Sequence, residues 1–142
     1  MRFEMTKAAK FWTLTVGVIL FCFGGMASAE PLAGSEWKPI EMDGTVLEQA
    51  TDAFVRFELD GNIVGNGGCN SLRGRYVTNE DAILFGPIAS TMMACEDDIS
   101  RIEFGFLQAL AKARRYSRQD AILELVDAEG NFIVRLQQTD AD

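Results

Sequence analysis

Beyond an apolar N-terminal segment the chain holds two cysteines, each inside a short run of small or flexible residues: Gly67-Gly68-Cys69-Asn70 and Thr91-Met92-Met93-Ala94-Cys95. No other feature restricts the fold as tightly, because joining Cys69 to Cys95 brings two distant segments to one place. The spacing is far from the C-x-x-C of a redox catalyst, so a structural staple is the expected role. A staple requires an oxidising compartment, and the N-terminus argues for one.

Arg2, Lys7 and Lys10 precede an almost unbroken apolar stretch from Phe11 to Phe23, and Ala27-Ser28-Ala29 comes next as a small-residue cleavage site. This is the pattern of a secretory signal peptide over residues 1–29, and the apolar stretch is short for a membrane span. Two rival readings anchor the chain to a membrane: an uncleaved signal, or a lipidated Cys22. Against the second, Phe21 stands where an acylation site wants a small residue. Cleavage after Ala29 leaves residues 30–142, enough chain for one domain with a single core. It removes three of the 13 basic and one of the 21 acidic residues, leaving 10 against 20 and a formal charge of −10. Such a charge repels nucleic acid and anionic membrane surfaces and keeps a periplasmic or secreted monomer soluble.

Short strands broken by turn residues make up most of the mature chain. Val55, Phe57 and Leu59 alternate with Arg56 and Glu58, and Asp60-Gly61-Asn62 then turns the chain into Ile63 and Val64, a hairpin pattern. Leu72, Gly74 and Tyr76 alternate with Arg73 and Arg75, and Ile83 and Phe85 form a strand stopped by Gly86-Pro87. A second hairpin joins Ile122 to Val126 with Phe132 to Leu136, putting Phe132, Val134 and Leu136 on one face; Gly130 in its five-residue connection supplies a positive φ. Between the hairpins the spacing predicts a helix from about Asp98 to Ala113, with an apolar stripe of Ile99, Ile102, Phe106, Leu107 and Leu110 facing the sheet. Asp97 or Asp98 is expected to cap it, and the run Glu96-Asp97-Asp98 suits the positive end of the helix dipole. Many antiparallel strands with one amphipathic helix make an α+β, mostly β protein, a curved sheet or small barrel covered by the helix.

The run Gly68-Cys69-Asn70 with Gly74 and Tyr76, and the run Thr91, Met93 and Cys95, resemble the META domain of the heat-shock-inducible HslJ-like secreted proteins and lipoproteins. The resemblance extends over nearly the whole mature chain: Leu32, Gly34 and Trp37 match the family's opening strand, Glu103, Phe106, Leu107 and Leu110 its helix, and Leu123, Leu125 and Asp127 its closing hairpin. It implies a compact antiparallel β-barrel-like domain with one helix.

Chemistry is harder to find. The chain has no histidine, which removes the commonest general base and the commonest metal ligand. No nucleophile elbow, phosphate loop or dinucleotide fingerprint occurs, and no cofactor is expected. Gly65, Gly67 and Gly68 look like an anion cradle, but they lead into a strand rather than a helix and no lysine comes after them, so a tight turn or bulge is the expected role. Glu96-Asp97-Asp98 reads as a helix start rather than a cation site, and Asp127-Glu129-Asn131 as a hairpin turn, since the bidentate Glu of a calcium loop is missing. Arg114, Arg115 and Arg118, with Arg73 and Arg75, offer a small basic patch but suit ordinary surface charge. Met92 and Met93 are expected mainly to fill core; with Phe106 they are also the candidate surface for an apolar ligand or partner.

The resemblance implies a non-enzymatic protein with a binding or envelope-stress role. One version is a pocket for a hydrophobic ligand inside the barrel; the alternative is a docking module for an envelope protein, in the manner of a pilot or chaperone. A hydrolase is the remote third reading.

Overall fold

The structure, a computed structural model, describes residues 31–47 and 51–139. The expected signal peptide with its Ala27-Ser28-Ala29 site and Cys22 lies outside the described residues. The elements are β1 (Ser35–Met42), β2 (Thr45–Val46), β3 (Phe54–Phe57), β4 (Asn62–Asn66), β5 (Ser71–Asn79), β6 (Ala82–Phe85), β7 (Ala89–Ser90), α1 (Asp97–Lys112), β8 (Arg115–Gln119), β9 (Ile122–Val126) and β10 (Phe132–Thr139).

Alternation drives the strands. Along β3 the burial runs half-buried, buried, half-buried, buried, which puts Val55 and Phe57 inside and Arg56 out. The side chains of Asp60 and Asn62 close the turn to β4: the Asp60 carboxylate accepts the Asn62 N–H at 3.0 Å. Between β9 and β10 the Asp127 carboxylate does the same for the N–H groups of Glu129 and Asn131. Neighbouring strands pair in the order β10, β9, β8, β6, β5, β4, β3, β1, and β1 pairs back onto β10, so eight antiparallel strands close into a barrel. Closure leaves the barrel without a free edge. The short β2 adds to β1 and β7 to β5. The mostly β fold with one helix is therefore as expected, with the strand order now fixed.

Side chains occupy the barrel interior. Trp37, Phe57, Ile63, Leu123, Leu125 and Leu136 are all fully buried, as is usual where eight strands enclose just enough room for their own residues. The helix α1 packs on β1, β6 and β10 and inserts Phe106 and Leu110 into this core.

Three expectations need correction. The helix does not dock on its Ile99 end: Ile99 is 37% exposed and Ile102 only half-buried, while Glu103, Phe106, Ala109 and Leu110 face inward. Its first turn reaches out over Gly68 instead of lying on the sheet. No aspartate caps it; Glu96 is the N-cap and makes no side-chain cap bond, and Asp97 and Asp98 stand in the first turn. In β10 a register shift between Phe132 and Val134 buries Ile133 and Val134 together, leaving Phe132 half-buried beside the Arg135 guanidinium, 5.3 Å from its ring.

Candidate functional site

The two cysteine-bearing runs meet beside the start of α1. The disulfide Cys69–Cys95, with Cα atoms 6.3 Å apart, joins the β4–β5 turn to the strap of residues 91–96 that leads into the helix. Asn70 makes the second tie. Its Oδ1 accepts the Met93 N–H at 2.6 Å and the Thr91 hydroxyl at 3.0 Å, and its Nδ2 donates to the Met93 carbonyl at 3.4 Å. Thr91 returns the contact, its Oγ1 accepting the Ser71 N–H at 3.1 Å. A side-chain amide thus pairs with the strap much as a neighbouring strand would, and the strap is pinned at Thr91, Met93 and Cys95.

Glu103 locks the turn from the helix side. One carboxylate oxygen accepts the N–H groups of Cys69 (3.0 Å) and Asn70 (2.6 Å), and the other accepts the Asn70 Nδ2 at 2.6 Å. Gly67 makes room for it: a Cβ there would stand 2.5 Å from Glu103 Cγ. Gly67 and Gly68 thus form a tight turn, their own N–H groups going to the Asn70 carbonyl and the Asn66 side chain, and the carboxylate is held by the two residues that come next, Cys69 and Asn70. Burial favours the neutral form of Glu103. The hydrogen bonds from the Asn70 side chain and from the Asn70 and Cys69 N–H groups outweigh it, and the carboxyl is held below its usual range.

Of the residues singled out in the sequence, Gly68, Cys69, Asn70, Thr91, Met93 and Cys95 converge here. Gly74 and Tyr76 lie further along β5, Gly74 against Ile63 and Ile88, Tyr76 edge-on to Phe57 with its hydroxyl donating to the Glu58 carbonyl at 3.2 Å. Met92 and Met93 do not fill the core: they are 96% and 62% exposed, because the bonds to Asn70 use the strap's backbone and turn its side chains outward. Phe106 is the reverse case. It is fully buried and so belongs to the core rather than to a binding surface. Arg114 donates to the Ala111 and Ala113 carbonyls, and Arg118 donates to the Pro31 carbonyl and to Gln138 Oε1 and lies over the Trp37 ring. Among the described residues no group of three or more His, Cys, Asp or Glu could hold a metal ion. No helix among them is long and apolar enough to cross a membrane.

Clefts of about 390 and 450 Å³ flank the helix on the outside of the barrel. The first is lined by Gly68, Glu96, Asp98 and Ile99 among others. The second lies between Phe104, Gly105 and Gln108 of α1 and Phe132 and Ile133.

A small closed antiparallel barrel with one inserted helix and a disulfide-tied strap defines the class. The META domain family matches residues 30–140, and the chain belongs to that family. No curated protein matches the sequence. Among solved structures, a protein from Burkholderia xenovorans determined by NMR is similar at 23% identity and a TM-score of 0.63, over 78% of this chain and 85% of that one. A second NMR structure, 15% identical, gives a TM-score of 0.58 over 75% and 90% of the two chains. At these identities the likeness is one of fold.

Proposed function

We propose that the chain is a non-enzymatic, HslJ-like member of the META family that is exported by its N-terminal signal and docks an envelope protein through the strap that carries Met92 and Met93. The observation behind this reading is the pairing of two exposed methionines with a backbone tied down by Asn70 and the disulfide. Flexible, polarisable side chains adapt to an apolar partner, and a pre-ordered backbone beneath them lowers the entropy lost on binding. A hydrophobic ligand inside the barrel is the weaker reading, since Trp37, Phe57 and Ile63 already occupy that space. Catalysis is weaker again: the buried carboxylate, Glu103, spends its oxygens on three donors, which suits holding a turn more than moving a proton.

Native mass spectrometry of the protein drawn from its own envelope without detergent, with a photo-cross-linker placed at position 92, tests the reading. A ligand-free chain that cross-links from position 92 to one envelope protein through an apolar segment is the expected result. A lipid-sized bound mass transfers the reading to the pocket, and cross-links no different from those placed on the opposite side of the barrel overturn it. N-terminal sequencing of the same sample is expected to start at Glu30.

A further inference from the structure

With Cys69 and Cys95 joined, the most exposed sulfur-bearing residue among the described residues is Met92, 96% exposed, and Met93 is 62% exposed. The third methionine in the described residues, Met42, is packed partly buried against the core, its terminal methyl lying over Gly105. Susceptibility of a thioether to oxygen-atom donors depends on its access to solvent. Exposed methionine ordinarily carries a risk, because a sulfoxide is polar and disrupts whatever packing the side chain made. Here the strap does not depend on those side chains. It is held by the Asn70 amide bonded to the Met93 N–H and carbonyl, by Thr91, and by the disulfide at Cys95.

From this separation of side chain and backbone we propose that Met92 and Met93 form an oxidant-responsive modification site, converted to sulfoxides by peroxides without loss of the fold. The step is a two-electron oxygen transfer. The sulfur lone pair attacks the distal peroxide oxygen, the O–O bond breaks, and with hydrogen peroxide as donor each methionine becomes one sulfoxide and releases one water. Sulfur is oxidised and peroxide reduced, and no further reactant is needed. The product turns an apolar ledge polar while the Asn70 and disulfide ties stay in place, and a methionine sulfoxide reductase returns it to the thioether, taking two electrons from a dithiol that becomes a disulfide and releasing the oxygen as water.

The test is graded exposure of the secreted protein to hydrogen peroxide, followed by peptide mass mapping and thermal melting, with a Met92→Leu/Met93→Leu double variant in parallel. Expected are one added oxygen on each of Met92 and Met93 while Met42 is still unmodified, an unchanged melting temperature, and recovery of the starting mass with reductase. Oxidation of Met42 in step with the pair overturns the proposal. So does a melting temperature that falls on oxidation of the wild type but not of the double variant, because the strap would then depend on those side chains.

Discussion

Glu103 shows how much one residue ties together: a helix, a turn and, through Asn70, the strap. Replacing it with alanine leaves the buried Asn70 N–H and the half-buried Cys69 N–H without an acceptor, and about 1.5–3 kcal/mol of stability is expected to go, read by urea unfolding at neutral pH. Because its folded pKa is depressed, the carboxylate contributes stability that is present above its unfolded value and is lost as pH falls through the folded one. The wild type should therefore lose stability more steeply than Glu103→Gln as the solution is taken below the ordinary carboxylate range, and parallel slopes would refute this. Gly67→Ala drives a methyl against Glu103 Cγ and is expected to cost about 1–3 kcal/mol. In the sequence Glu103 stands only among helix residues that resemble the family's. Its charge gave no reason to bury it, because its three donors come from residues more than thirty positions earlier.

At the scale of elements, α1 was readable in its extent and less so in its orientation. Its apolar stripe starts at Ile99, but the helix is rotated toward the side that carries Glu103 and Ala109, with Glu103 bonded to the β4–β5 turn and Ile99 over Gly68. Phe106→Ala is expected to cost about 3–5 kcal/mol and Ile99→Ala within about 0.5 kcal/mol, compared by their unfolding midpoints. The two hairpins announced themselves through Asp60-Gly61-Asn62 and Asp127 to Asn131. By contrast β8, with the residues Arg-Tyr-Ser-Arg-Gln, reads as polar: only Tyr116 of the five is buried, and its partners on β9 lie beyond the next turn. The disulfide closes a separation of 26 residues; on the loop-entropy model its removal by Cys69→Ser/Cys95→Ser costs about 3–4 kcal/mol, with the variant's melting temperature as the measure.

For the whole molecule, closure of eight strands around one core makes the parts interdependent, and a domain of this size unfolds as a unit. Tryptophan emission from the fully buried Trp37 and far-UV circular dichroism are expected to give coincident urea transitions; separated midpoints would mean that the helix and strap unfold apart from the barrel. Local rules determined much of this molecule from sequence alone: period-two alternation, turn chemistry and helical spacing act between near neighbours, so they yielded the mostly β class, both hairpins and the extent of the helix. The tertiary structure alone decided that β1 closes on β10, that the glycine turn wraps a carboxylate from the helix, and that Met92 and Met93 face solvent while Phe106 does not. Those outcomes depend on which distant groups arrive at the same place, and a buried charge or an exposed methionine is set by its neighbours in space rather than by its neighbours in the chain.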